Sequence, residues 1–407
     1  MAAPNPASAP VRAEVLVDLD AIAHNVALLA ERAASSGAAT MVAVKADAYG
    51  HGAVPVATAA LRAGATWLGA CSLAEALALR AAGLSGRILA WLDLPTVDYR
   101  PGLAADIDLS VGSVEALDRV IDAAGSTGRQ ARVHLKIDTG LSRNGAVADQ
   151  WPDLVGHAAA AQRAGAVEVV AVWSHLACAD EPGHPSIDAQ ARRFDAAYRL
   201  ATAAGLRPLR HLANSAAALT RPDLHFDLVR IGIAAYGLNP VPQQEDLRPA
   251  MSFHSSVAFV KRVPAGESVS YGHTWTATKE TTLALVPVGY ADGVPRGLSG
   301  RMTAFVGGAR HPVVGRVSMD QIVLDVGDAP IRPGDPVVLF GSGADGEPTA
   351  REWADTLGTI DYEIVTGMYR PRVIRRYTGL AAESLPNSAA ADSGAGGRGP
   401  GAGSVGS

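Results

Sequence analysis

Several things are scarce in this chain of 407 residues, and each shortage removes a class of protein. There are two cysteines, Cys71 and Cys178, each inside an apolar stretch. Two cannot build a disulfide framework, so reduced, buried thiols are expected. A basic excess is missing: 35 Lys and Arg stand against 40 Asp and Glu, a formal net charge of −5. Nucleic acid is therefore not an expected partner. No uncharged apolar run is long enough to span a bilayer. The first ten residues, MAAPNPASAP, have neither a basic start nor an apolar core, so no secretory signal is read there. The 11 histidines show no His-x-His or HExxH spacing, which argues against a metal centre. The expectation is a soluble cytoplasmic protein with no membrane, nucleic-acid or metal partner.

What the chain does have is a 48% hydrophobic content and enough length for two domains. From residue 12 to 245, short apolar runs alternate with Ala-rich segments of helical spacing. Eight runs can be counted: MVAVKA (41–46), TWLGAC (66–71), RILAWL (87–92), DIDLSV (106–111), RVHLKID (132–138), VEVVAVWSH (167–175), LRHLAN (209–214) and DLVRIGIAA (227–235). Between them lie segments such as SLAEALALRAAG and SVEALDRVIDAAG, which end in Gly as helices often do. Continuous apolar runs suit a parallel sheet buried on both faces. Eight strand–helix units predict a (β/α)₈ barrel, with a doubly wound open sheet as the alternative. Residues 246–380 change character to β-type runs broken by Gly and Pro, with one helical stretch, TAREWADTLG. This reads as a mainly β domain. Residues 381–407 have almost no bulky apolar side chains and are expected to be disordered.

In a (β/α)₈ barrel, chemistry gathers at the C-terminal ends of the strands. Lys45 ends the first run; Lys136, Asp138 and Arg143 follow the fifth; His175 ends the sixth; Asn214 and Ser215 end the seventh; Arg230 and Gly232 lie in the eighth. Singly, each has a plain reading. Lys45 would be a solvated turn residue, His175 a core histidine, and Arg230 a partner of Asp227. Together on one face they suggest more. An amine at an apolar strand end is desolvated, and such an amine can have a lowered pKa and form a Schiff base. Hydroxyl and backbone N–H groups after the last two strands are where barrels often bind phosphate. Schiff-base lysine and phosphate site together point to pyridoxal phosphate.

AVKADAYGHG resembles the cofactor-lysine motif of alanine racemases. The similarity continues through HLKIDTGLSRNG, WSHLA, NSAA, RIGIAAYGL, VSYGHTW, PVGYADGVPR, GRVSMDQ and TIDYEIVTGMYRPR, in family order, over about residues 12–378. The resemblance implies a barrel followed by a β domain, and interconversion of L- and D-alanine by two bases. The D-alanine would supply cell-wall peptidoglycan. It implies that Lys45 holds pyridoxal 5′-phosphate and acts as one base, with Tyr271 as the other. Arg230 would face the pyridine nitrogen. Tyr49, Ser215, Gly232, Ile233 and Tyr362 would hold the phosphate. Arg143 and the Met319 N–H would contact the substrate carboxylate, and His175 would lie between Tyr271 and Arg230. Lys136 matches a lysine that can be carbamylated and would then position Arg143. Tyr290 would line the entrance, and Asp320 would support it. The family pattern also implies a homodimer in which each site takes Lys45 from one chain and Tyr271 from the other. Departures are Ser318, where many members have Cys, and Trp275, where Tyr is common. An amino-acid decarboxylase or a racemase of broader specificity on the same architecture is the alternative. A decarboxylase would carry an acidic residue in place of Arg230 and a Gly-Gly-Gly loop, and the sequence has neither. A binding protein on a lone barrel would lack the β domain that carries Tyr271.

Overall fold

A computed structural model describes residues 12–243 and 245–379. The expected disordered segment 381–407 lies outside the described residues. The first strand, β1 (Glu14–Asp18), is followed by the eight barrel strands: β2 (Ala39–Ala43), β3 (Trp67–Ala70), β4 (Arg87–Ala90), β5 (Ile107–Val111), β6 (Ala131–Lys136), β7 (Val167–Trp173), β8 (Leu209–His211) and β9 (Leu228–Ile231). Each coincides with one of the eight apolar runs. All neighbours are parallel, in the order β8-β7-β6-β5-β4-β3-β2-β9. The gap between β8 and β9 is bridged by Asp227 N–H to Arg210 O (3.1 Å) and Arg230 N–H to Ala213 O (3.0 Å). The (β/α)₈ expectation holds, and the open-sheet alternative falls with that closure.

Side chains alternate along each strand. Val42, Leu68, Ile88 and Val133 join the main apolar core, to which helix residues such as Ile22 and Val26 also belong. Met41, Trp67, Leu89 and Leu228 form a smaller separate cluster. Turn chemistry shifts some helix ends. SVEALDRVIDAAG was expected to stop at Gly125, yet that helix runs Val114–Thr127 and ends on Gly128, whose φ of 64° gives the left-handed cap.

The second part is a nine-stranded sheet and a hairpin. Its strands are β10 (Met251–Ser256), β11 (Phe259–Val263), β12 (Ser268–Val269), β13 (Trp275–Thr276), β14 (Thr281–Val286), β15 (Thr303–Val306), β16 (Ala309–Val314), β17 (Ile322–Gly327), β18 (Pro336–Phe340) and β19 (Ile374–Thr378). The large sheet runs β11-β14-β17-β16-β15-β18-β10-β1-β19, and β12 pairs β13 alone. Strand β1 departs from the expectation that residues from 12 onward belong to the barrel. It pairs antiparallel with β10 and parallel with β19, burying Val15 and Val17. A three-residue apolar run, Val15–Val17, carries no mark of which sheet will take it. Cys71 and Cys178 are both free, but half-buried rather than buried. Among the described residues, no helix is long and apolar enough to cross a membrane.

Candidate active site

Lys45 stands where β2 ends and opens an unusual turn. Ala46, Asp47, Ala48 and Tyr49 all have φ between 52 and 54°, a left-handed turn built from non-glycine residues. Such a conformation costs about 1–2 kcal/mol per residue, so it must be held. Glu75 accepts from Ala46 N–H (2.9 Å), and Asp47 Oδ1 accepts from Ala53 N–H (2.8 Å). Arg375, on β19, donates to the Asp47 carboxylate and to Gly50 O (3.0 Å). Gly50 continues the turn at φ 82°, and a Cβ there would sit 2.6 Å from Val365 O. The strained turn leaves Lys45 half-buried, its Nζ 5.7 Å from the Tyr49 ring centre.

Arg230 is buried at 6% exposure. Its guanidinium donates to His211 Nδ1 (3.1 Å), His211 O (2.9 Å), Ser174 O (2.8 Å), His175 Nδ1 (3.2 Å) and Leu212 O (3.2 Å). Asp227 does not pair with it; that carboxylate accepts from Arg210 N–H instead (2.7 Å). Burial lowers the Arg230 pKa to about 9. Lys136 is also buried, 4.2 Å from the Trp173 ring centre. Burial first, then the charges of Arg230 and Arg143, push its pKa down to about 8. Burial and the same cations hold His175 well below its usual pKa, so the ring is neutral. With Nδ1 accepting from Arg230, its proton sits on Nε2. Arg143 is exposed on a turn organised by Asp138 Oδ1, which accepts from the N–H groups of Gly140, Leu141 and Ser142 at 2.8–3.1 Å. Among the described residues, no carboxylate forms an ion pair with Lys45, Lys136, Arg143 or Arg230. The mouth therefore carries surplus positive charge suited to an anionic ligand.

Beside these cations lies a cradle of hydroxyl and amide groups. Ser215 Oγ accepts from Gly232 N–H (2.8 Å) and more weakly from Ala234 N–H (3.4 Å). Asn214 caps the helix Ser215–Thr220, receiving Ala217 N–H (3.1 Å). A Cβ on Gly232 would lie 2.6 Å from the Tyr49 hydroxyl, so only glycine fits beneath that ring. Tyr49 packs on Tyr362 at 6.1 Å and on Tyr236 at 4.8 Å between ring centres. Burial raises the pKa of Tyr49 and Tyr362, keeping both hydroxyls protonated and able to donate. Ile233 follows Gly232 in the same turn. This cluster of hydroxyl and amide groups close to Lys45 fits a phosphorylated carbonyl cofactor.

The remaining expected residues gather elsewhere, on the β part. Tyr271 sits at the tip of the β12–β13 hairpin, 72% exposed. Its neighbours Ser270 (φ 64°) and His273 (φ 46°) are in the left-handed region, and Ser270 Oγ donates to Arg316 O (2.8 Å). Tyr290 N–H donates to Ser318 O (3.0 Å), which brings Tyr290 beside Met319. A Cβ on Gly289 would lie 2.2 Å from Ser318 O, so glycine permits that approach. Asp320 is tied to Arg372 (2.6 Å) and more loosely to Arg12 (3.8 Å). Among the described residues, no hydrogen bond joins the Tyr271 hydroxyl to the barrel mouth. The expected site residues thus fall into two groups: the mouth, and one edge of the β part.

The family profile described as "Alanine racemase, N-terminal domain" matches residues 17–240, and "Alanine racemase, C-terminal domain" matches 250–377. The chain belongs to the alanine racemase family. It is 55% identical over 370 residues to the alanine racemase of Salinispora arenicola, covering 90% of this chain and 99% of that protein. The crystal structure of alanine racemase from Streptomyces lavendulae superposes with a TM-score of 0.88 at 50% identity, covering 91% of this chain and 98% of that one. The Streptomyces coelicolor A3(2) enzyme gives 0.87 at 51% identity, over 90% and 98%. The family resemblance stated on motifs alone is borne out.

Some residues of the mouth were missed in the sequence. Glu75 and Arg375 are separated from the lysine turn by 29 and 328 positions. His134 and His211 sit inside apolar strand runs and look like core histidines. A signal was available: His134 lies two residues before Lys136 on β6, hence on the same face.

Proposed function

We propose that this protein interconverts L- and D-alanine, holding pyridoxal 5′-phosphate at the barrel mouth. One observation carries the reading: a half-buried Lys45 beside a glycine-floored cradle of Ser215, Tyr49 and Tyr362, in a mouth whose cations form no ion pair with a described carboxylate. Ser215, Tyr49, Tyr362 and the Gly232 and Ile233 amides would hold the phosphate. When bound, the cofactor supplies a conjugated ring that takes up the negative charge left at Cα as a proton departs.

The chain's own residues do the rest. Lys45 Nζ takes or returns the proton on one face of Cα. Racemisation needs a second group on the opposite face, because one base cannot easily reach both. The Tyr271 hydroxyl serves that face. Its exposure in its own chain favours its reaching the mouth of a second copy in a homodimer with shared sites. His175, neutral with its proton on Nε2, donates toward that phenol oxygen and stabilises the deprotonated form. Arg230 donates toward the ring nitrogen and, remaining charged, keeps that nitrogen unprotonated. Arg143 and the Met319 N–H bind the substrate carboxylate, Tyr290 lines the entrance, and Asp320 anchors the Met319 loop through Arg372. A carbamate on Lys136 would orient Arg143. The division near residue 245 into a barrel and a β domain, with β1 given to the β domain's sheet, a cytoplasmic location, and a role in supplying D-alanine for peptidoglycan belong to the same proposal. The Arg230 side chain weighs against the decarboxylase alternative, which calls for an acid there.

The test is direct. Purified protein is supplied with pyridoxal phosphate and L-alanine, L-serine or L-lysine, and the products are resolved by chirality. Racemised alanine, with less from serine and none from lysine, supports the reading; carbon dioxide release without racemisation overturns it.

A further inference from the structure

Below Arg230, a line of buried polar side chains runs through the barrel. Arg230 Nη1 meets His211 Nδ1 at 3.1 Å. His211 Nε2 meets His134 Nδ1 at 2.9 Å, and His134 Nε2 meets Asp108 Oδ2 at 3.2 Å. Asp108, His134 and His211 are each fully shielded from solvent. At the far end, Asp108 is gripped by Arg132 Nε (2.6 Å) and Arg87 Nη2 (2.8 Å), which come from the N-terminal ends of β6 and β4.

The protons in this line can be placed by elimination. A guanidinium only donates and a carboxylate only accepts. Burial lowers the pKa of His134, and burial with the Arg230 charge holds His211 well below its usual value, so both rings are neutral. Burial alone would raise the Asp108 pKa, but His134, Arg87 and Arg132 outweigh it and keep the carboxyl ionised. Arg230 must donate to His211 Nδ1, so the His211 proton lies on Nε2. His211 must then donate to His134 Nδ1, so the His134 proton also lies on Nε2 and goes to Asp108. Every N–H points from Arg230 toward Asp108, and every donor meets an acceptor.

We infer that Asp108, His134 and His211 are positioning residues that fix the orientation of Arg230. The Asp108 carboxylate, at the opposite end of the barrel, dictates the tautomer of both rings. Turning His211 to its other tautomer would set an N–H against the guanidinium and push it from its place; turning His134 would set its Nδ1–H against the His211 Nε2–H and force the same change. Buried Arg230 has no ion-paired carboxylate, and this polarised line links its charge to one. The task given to Arg230 rests on the reading above; the proton order does not.

The holoenzyme, perdeuterated and carrying ¹⁵N in its imidazole rings, is examined by long-range ¹H–¹⁵N correlation. His134 and His211 should each show a protonated Nε2 and a bare Nδ1. A proton on either Nδ1 would overturn the inference, whatever the activity. In Asp108→Asn holoenzyme, the His211 nitrogen signals should move although His211 does not touch residue 108. The kcat should fall about tenfold, as for loss of one charge-assisted hydrogen bond, with KM changed less than about twofold. Asp106→Asn, which removes only the outer partner of Arg132, should leave the His211 signals in place. Unmoved His211 signals in folded Asp108→Asn protein would overturn the inference. Should that variant fail to fold, the wild-type tautomers decide alone.

Discussion

At the barrel mouth, Arg230 is 6% exposed and its guanidinium donates to five acceptors; at the hairpin tip, Tyr271 is 72% exposed and its hydroxyl bonds to no described residue. Both backbones are nevertheless fixed. The lysine turn is held in a left-handed form by Glu75, Asp47 and Arg375. The tyrosine tip is held by the paired strands β12 and β13 and by the Ser270–Arg316 bond. The contrast separates two kinds of preorganisation. The mouth fixes Arg230, Lys136 and His175 by burial and packing, so these groups have shifted pKa values and His175 a defined tautomer. The tip fixes only its backbone and leaves a side chain presented outward, which suits a group that completes a site on another molecule.

Three variants probe this contrast. The largest effect belongs to Lys45→Ala, which should abolish racemisation, because the other amine of the mouth, Lys136, is packed on the Trp173 ring. Borohydride reduction of the wild-type holoenzyme followed by peptide mapping should place the cofactor on Lys45. Label on Lys136 instead would relocate the chemistry within the mouth. Next, Tyr271→Phe should lower kcat about 10²–10⁴-fold, the range for loss of a general acid–base group. Because the residue is exposed, its thermal stability should stay within about 0.5 kcal/mol of wild type. A large drop in melting temperature would mean that the tip is packed rather than presented.

The smallest effect is on stability, at Lys136. Its folded pKa of about 8 lies below the ordinary 10.5. The unfolded chain therefore holds this proton more tightly, so the folded state carries a penalty that is complete below pH 8 and relieved as pH rises to 10.5. In CO2-free buffer, Lys136→Met should be more stable than wild type at pH 7 by on the order of 1–3 kcal/mol, with the gain gone above pH 10.5. Bicarbonate should reverse the sign, because a carbamate among Arg143 and Arg230 makes the lysine favourable. Calorimetry with and without bicarbonate checks both signs.

The barrel was legible because strands buried on both faces read as continuous apolar runs, and eight such runs became β2–β9. The mouth was legible because its chemical groups end those runs. The motif resemblance, rather than strand periodicity, pointed to Tyr271. Other features left no local trace. Nothing in KADAY announces a left-handed turn, since its residues favour ordinary backbone and the conformation is imposed by Glu75 and Arg375. FHSSVAFVKRV reads as one β run, yet it divides at Val257 and Ala258 into β10 and β11, far apart in the sheet order. A buried histidine in an apolar strand looks the same whether it fills space or transmits a hydrogen bond, and only the neighbours of His134 and His211 distinguish the two.

The central claim is that the mouth of one chain is completed by the tip of another, and mixed dimers test it most directly. Lys45→Ala and Tyr271→Phe proteins, each nearly inactive, are mixed under conditions that exchange subunits, with exchange followed by mass spectrometry. A heterodimer then has one site with both lesions and one with neither. Random exchange makes about half of the dimers heterodimers, so about a quarter of wild-type activity should return. Full exchange with no recovered activity would mean that both bases come from one chain, and would contradict the account.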